Sequence, residues 1–284
     1  MRLPRSMHLL LALVFVMALQ GHEALAEKTP DDVILIVAFG TSVEKARVSY
    51  ANVEKEVKTA FPGKEIRWAW TAHSLLKTGP DALSPQEALA KLGTEGVKNV
   101  AILSLHIIPG EEYSNLVKTA EAFEGLPKGL EKVRLSRPLL SDTESLSVVA
   151  DILLKSLPGQ RKKDEAVVFV GHGTHHPAGV YYPALQYYLK AKDKNAFVGT
   201  VEGDLDLEAI TGVLKAAGIK KIWLTPLMTV AGDHAQNDLF GDEDDSWKKH
   251  LSANGIQVTP IEKGLGENPA VIGQWVERLK KSLE

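Results

Sequence analysis

The stretch AVVFVGHGTHH, residues 166–176, runs an apolar segment into an imidazole held between two glycines. Ala166 to Val170 shows no polar alternation, the pattern of a strand covered on both faces in a parallel sheet flanked by helices. Gly171 and Gly173 permit a tight turn and a close approach of a ligand to the backbone. Open α/β sheets bind ligands just beyond the carboxyl ends of their strands, so His172 stands where such a fold places its chemistry. On this stretch alone, a histidine that only caps the turn accounts for the same residues.

Outward from it, one plan occurs twice. In the first half, apolar runs at Val33–Phe39, Ile66–Thr71, Val97–Leu105 and Val133–Leu135 read as strands. Helical patterns fall between and after them. One carries Val48, Val53 and Val57, one starts at Ser84-Pro85-Gln86-Glu87 with an N-cap serine and glutamate at N3, and two cover about 111–124 and 142–156. In the second half, strands at 166–170, 196–201, 219–227 and 255–260 alternate with helices near 180–192, 205–217, 244–253 and 268–283. The last helix carries Val271, Ile272, Trp275, Val276 and Leu279 as one stripe. Strands alternating with helices predict an α/β fold with a parallel sheet in each half. The polar stretch Pro158–Asp164 divides an N-terminal domain, 27–158, from a C-terminal domain, 165–284.

The halves also share residues. Ile36-Val37-Ala38-Phe39-Gly40-Thr41 runs parallel to Phe169-Val170-Gly171-His172-Gly173-Thr174. His73 falls opposite Glu202, and Gly96–Val100 opposite Gly218–Ile222. Extended without gaps, the last match sets Pro109–Glu112 against Ala231–His234. Three matches in the same order, at offsets of 122 to 133 residues, indicate an internal duplication into two similar Rossmann-like domains.

Composition narrows the chemistry. Arg2 and Arg5, the apolar run Leu9–Leu19 and the small-x-small triplet Ala24-Leu25-Ala26 form the pattern of a signal peptide over 1–26. That run is too short for a comfortable membrane span, so the mature form is expected to be exported, periplasmic and not membrane-spanning. There is no cysteine, which removes thiolate metal sites and thiol nucleophiles and leaves metal binding to His, Asp and Glu. With 33 basic against 36 acidic residues, nucleic acid is not an expected partner. No G-x-S-x-G elbow or phosphate-binding loop is present, and no nucleotide cofactor is expected.

His172, Glu202 and His234 lie at three successive strand ends of the second half and should converge on one cleft. Two imidazoles and a carboxylate can hold a divalent cation while leaving positions open, or do acid–base work without one. Read singly, Glu202 also suits the N-terminus of the helix that follows it, and His234 a contact within its own loop. His175 and His176 flank the site. His106 and His73, at strand ends of the first half, are candidates for a second ligand such as haem, with a satisfied rim histidine as the plainer reading. His250 is expected on the exposed side of its helix.

The run Leu227-Met228-Thr229-Val230-Ala231-Gly232-Asp233-His234-Ala235-Gln236-Asn237-Asp238, continued by Gly241–Lys248, resembles the signature of the anaerobic cobalt chelatases that act on sirohydrochlorin. Gly171-His172-Gly173-Thr174, Leu105-His106-Ile107-Ile108-Pro109-Gly110-Glu111-Glu112-Tyr113 and Phe39-Gly40-Thr41-Ser42 are similar to the other hallmarks of that family. The resemblance implies a chelatase-like fold related to the ferrochelatases, two α/β halves around a cleft. It implies insertion of Co²⁺, or Fe²⁺, as substrate metal into a tetrapyrrole, with His172, Glu202 and His234 as the metal-site and catalytic residues. A substrate rich in carboxylates calls for cations at the mouth, for which Arg47, Lys77 and Arg137 are candidates, while Tyr181 is a candidate for stacking on the ring. Corrin synthesis is expected in the cytoplasm, so the export pattern keeps a second reading open: a carrier that captures metal or tetrapyrrole without turnover, alone or as a homo-oligomer.

Overall fold

In the computed structural model, residues 32–72 and 82–284 are described. The expected leader, His73 and Lys77 lie outside them. Residues 31–284 form one compact unit. Among the described residues no helix is long and apolar enough to cross a membrane.

The first half forms a parallel sheet from β1 (Asp32–Ala38), β2 (Glu65–Trp70), β3 (Asn99–Ser104) and β4 (Lys132–Leu135), in the order β2-β1-β3-β4. The second repeats it with β5 (Ala166–Gly173), β6 (Ala196–Glu202), β7 (Lys221–Pro226) and β8 (Gln257–Pro260), in the order β6-β5-β7-β8. The helices are α1 (Val48–Ala60), α2 (Pro85–Thr94), α3 (Glu111–Phe123), α4 (Thr143–Lys155), α5 (Tyr181–Lys192), α6 (Leu207–Ala216), α7 (Trp247–Ala253) and α8 (Pro269–Leu283). The start at Ser84 forms as read, with the Ser84 hydroxyl accepting from the Glu87 amide and the Glu87 carboxylate from the Ser84 amide.

Strand side chains alternate between two apolar layers, which is why Val33–Ala38 of β1 and Ala166–Val170 of β5 carry no polar residue. Ile34 and Ile36 of β1 join Val167 and Phe169 of β5 in one common core, together with Val53, Val149, Leu185 and Trp275. Their neighbours Val33, Leu35 and Val37 face Leu89, Leu92 and Leu116 of α2 and α3. Val168 and Val170 face Ile210, Leu214 and Trp247 of α6 and α7. The halves thus share a central layer and keep separate outer layers.

Two helices leave the half that encodes them. The C-terminal α8 packs on β3 and β4 of the first sheet and against α1, while α4 of the first half packs on α5 of the second. Arg278 of α8 fastens the exchange, donating from Nε to the Pro138 carbonyl at 3.0 Å and from Nη2 to the Leu139 carbonyl at 2.6 Å. Pro158–Asp164 runs between the last strand of the first sheet and the first strand of the second, and helix packing crosses it in both directions. That linker is itself anchored: Arg161, with its side chain only 11 % exposed, pairs with Asp193 at 2.7 Å and donates to the Glu165 carbonyl.

Candidate metal and tetrapyrrole site

His172 is the penultimate residue of β5, and its surroundings leave little freedom. A Cβ on Gly171 would fall 2.3 Å from the Tyr182 ring, and one on Gly173 only 1.8 Å from the Glu202 carbonyl oxygen. Gly173 also has φ +86°, a conformation other residues adopt only under strain. Its amide donates to the Tyr182 hydroxyl at 3.3 Å. Burial pushes that phenol up to about 12, so it stays a neutral hydroxyl at physiological pH. The two glycines are therefore required by the close packing of β5 on α5 and β6, and His172 emerges at a fixed point between them.

His234 arrives on the loop after β7. The Leu227 amide donates to the Val170 carbonyl, the Leu265 amide to that of Met228 and the Gly266 amide to that of Thr229. The first half holds the same loop from the other side: Thr229 Oγ1 donates to the Leu105 carbonyl at 2.7 Å, and Ser42 Oγ to the Asp233 carboxylate at 2.9 and 3.1 Å. A single turn of π-helix, Ala235–Leu239, follows directly. Such turns are rare and concentrate at functional sites. The sequence pattern did not predict it.

These restraints bring the two histidines together. His172 Nε2 and His234 Nε2 lie 3.1 Å apart, with the rings at 89° and their centroids 4.4 Å apart. His234 Nδ1 faces the Asp238 carboxylate at 2.7 Å, and His172 Nδ1 faces the Gly173 carbonyl at 3.2 Å. Carboxylate and carbonyl oxygens only accept hydrogen bonds, so a proton on Nδ1 satisfies each of these contacts and leaves that ring's Nε2 free to act as a ligand. Two unprotonated Nε2 atoms 3.1 Å apart repel unless a proton or a cation lies between them. With metal–nitrogen bonds of about 2.05 Å, that spacing subtends about 100° at the metal, a normal angle between adjacent ligands of a tetrahedral or octahedral ion. Two imidazole nitrogens this close can hold one cation between them.

Glu202 ends β6, on the strand next to β5, and is exposed. The ladder pairs it with Gly173, one position beyond His172. Parallel partners in register share a face, so the alternation groups Glu202 with Gly173 and Val201 with His172. Among the described residues no group of three His, Cys, Asp or Glu is assembled to hold a metal ion. The structure brings two of the three expected ligands together and places the third at the neighbouring strand end.

The other candidates are dispersed. Arg47 is exposed and pairs with Glu44 at 3.0 Å. Arg137 pairs with Asp142 at 3.0 Å in a groove of about 430 Å³ between α4 and α8. Tyr181 donates its hydroxyl to the Ser141 carbonyl, which ties α5 to the first half rather than freeing the ring for stacking. His176 caps the turn that follows it by accepting from the Ala178 amide. His250 departs from expectation: its side chain is 20 % exposed and lies 3.5 Å from Glu208, because α7 is short and packs that flank inward.

His106 follows β3 with Nδ1 2.8 Å from Ser104 Oγ and Nε2 sealed from solvent without a partner. Burial pushes its imidazole down from 6.5 to about 4. Between these values the unfolded chain binds a proton that the folded chain refuses, so stability falls as pH drops through that window, by up to roughly 3 kcal/mol. Urea unfolding from pH 7.5 to pH 4 should show this loss, and His106→Gln should flatten it.

Asp238, against His234 Nδ1, is the residue at this pair that strand-end reasoning did not single out. Its spacing of four from His234 was the available signal, since residues four apart meet on one side of a helix. A carboxylate behind a ligand histidine fixes its tautomer and raises its basicity, and losing one typically costs 10- to 100-fold in metal affinity. Asp238→Asn is expected to weaken Co²⁺ binding by about that factor without loss of fold, as measured by calorimetric titration of the metal alone.

Comparison with known proteins gives the family. The family model described as cobalt chelatase (CbiK) matches residues 32–284. The chain belongs to this family. It is 36 % identical over 250 residues, 87 % of this chain and 88 % of the relative, to sirohydrochlorin cobaltochelatase CbiKC of Nitratidesulfovibrio vulgaris. To the sirohydrochlorin cobaltochelatase of Salmonella typhimurium it is 35 % identical over 256 residues, 88 % and 96 % of the two chains. The fold is also that of SirB from Bacillus subtilis, solved with Fe³⁺, at a TM-score of 0.58 and 15 % identity, covering 88 % of this chain and 95 % of that one.

Proposed function

We propose that this cobalt chelatase inserts Co²⁺ into sirohydrochlorin, with His172 and His234 presenting the metal. The convergence of two Nε2 lone pairs at the carboxyl edge of the second sheet carries this reading. Membership of the CbiK family and relatives named as sirohydrochlorin cobaltochelatases support it.

Insertion replaces two pyrrolic protons by one divalent cation, so the protein must hold the cation, accept protons and position the ring. Two imidazoles at about 100° occupy one side of the ion and leave its remaining positions for water and then for ring nitrogens. Nitrogen donors of this kind hold Co²⁺ without the permanence of thiolates, which suits a metal that must leave. Glu202 is proposed as a third ligand and proton acceptor, because its strand end adjoins His172 and a carboxylate can take the pyrrolic proton. Fe²⁺ suits the same donors and is proposed as a second substrate. Export is proposed from the basic start, apolar run and small-x-small triplet of residues 1–26.

The test is optical. Protein lacking residues 1–26, mixed with sirohydrochlorin and excess Co²⁺, is expected to convert many equivalents of macrocycle faster than a protein-free control. Conversion should be at least tenfold slower with Glu202→Gln. A spectral change that stops at one equivalent would assign the protein to capture rather than catalysis.

A further inference from the structure

The internal duplication identifies a residue that no titratable group could have revealed. β1 and β5 are equivalent central strands, and a glycine with positive φ stands at the carboxyl end of each, Gly40 at +108° two residues past β1 and Gly173 at +86° closing β5. The equivalence extends to the next helix. Tyr182 of α5 accepts from the Gly173 amide, and Tyr50 of α1 takes the same contact from the Gly40 backbone. The residue immediately before the glycine is His172 in the second half and Phe39 in the first. Phe39 thus leaves its sheet at the place from which His172 addresses the metal.

Phe39 is also 50 % exposed, although the six residues before it are at most 3 % exposed. Its neighbours reach the metal loop. Thr41 packs so closely on Gly232 that a Cβ there would lie 2.8 Å from Thr41 Oγ1, and Ser42 bonds Asp233, the residue before His234. The segment that presents Phe39 is therefore fastened to the segment that presents His234. An exposed phenyl ring at a sheet's carboxyl edge, on a segment tied to the loop that carries His234, suits a flat apolar ligand.

We infer that Phe39 is the platform on which the tetrapyrrole rests while the histidine pair addresses its centre. This rests on the chelatase reading. The duplication has divided the labour: one half keeps an imidazole at this position for the metal, and the other keeps a phenyl ring for the macrocycle. Phe39 touches the substrate and leaves cobalt binding to the pair.

The test is titration of sirohydrochlorin, without metal, into wild type and Phe39→Ala, Phe39→Leu and Phe39→Tyr, followed by macrocycle absorption. Thermal unfolding and Co²⁺ titration are measured on the same proteins. Phe39→Ala should weaken tetrapyrrole binding about tenfold, Phe39→Leu by less, and Phe39→Tyr hardly at all, with Co²⁺ affinity unchanged. The inference is overturned if Phe39→Ala binds the ring within twofold of wild type, or if Phe39→Leu binds it as well as wild type. An equal loss of Co²⁺ affinity also overturns it, because Phe39 would then act through the pair. Failure of wild type itself to bind the ring would sink the chelatase reading and this inference with it, an outcome distinct from a silent Phe39→Ala.

Discussion

Replacing His234 by alanine is expected to lower kcat/KM for cobalt insertion about a thousandfold while the protein stays folded. The size follows from losing one of two nitrogen donors to a cation. That interaction contributes several kcal/mol, and each 1.36 kcal/mol is a factor of ten in rate. Folding is spared because the His234 side chain is 43 % exposed and buries little apolar surface. The His172→Ala variant should behave alike, and the double variant should be little worse than either single one. Groups that act as a unit do not lose their effects additively. Steady-state rates with cobalt varied at saturating tetrapyrrole check this, with circular dichroism reporting the fold. Independent, multiplicative losses would mean that the two rings do not share one ion.

The second large effect comes from a residue with no side chain. Gly173→Ala should destabilise the protein by about 4 kcal/mol or more, lowering Tm by roughly 10 °C, and should abolish insertion. The new methyl carbon would lie 1.8 Å from the Glu202 carbonyl oxygen, and the backbone would be held at φ +86°. Relief requires β5 and β6 to part where His172 and Glu202 stand, so stability and activity fall together. Gly255→Ala is the control. Gly255 has φ +77° but open space around it, so that variant should lose only the cost of the backbone conformation and keep its activity. Thermal melts of the two variants separate conformational strain from the clash.

Much of this molecule is legible in its sequence, for reasons that differ between its parts. The β1 and β5 strands read clearly because burial on both faces removes every polar residue from Val33–Ala38 and Ala166–Val170. His172 and His234 read clearly because parallel sheets expose their chemistry at strand ends. Glu202 does end its strand, yet side-chain alternation groups it with Gly173 rather than with His172. Strand ends are visible in hydrophobic runs, whereas register is set by hydrogen bonding between strands. The exchange of α4 and α8 was hidden because an apolar stripe such as Val271, Trp275 and Leu279 records that a helix is buried, not which sheet buries it. Asp238 was signalled only by its spacing of four from His234, and the π-turn that carries it is announced by no residue pattern. Phe39 was in view throughout, since the match of the two halves already set it opposite His172. Only its exposure and the contacts of Thr41 and Ser42 give that match a chemical meaning.

The most direct test of the central claim is the coordination of cobalt itself. X-ray absorption at the cobalt edge on a 1:1 complex of Co²⁺ with the protein, before any tetrapyrrole is added, reads the ligands without reference to turnover. Two imidazole nitrogens at about 2.1 Å, one of them lost in His172→Ala and one in His234→Ala, is the predicted result. A shell of oxygen ligands alone, or a spectrum that neither variant changes, would contradict the assignment of the His172–His234 pair as the place where the metal waits for the ring.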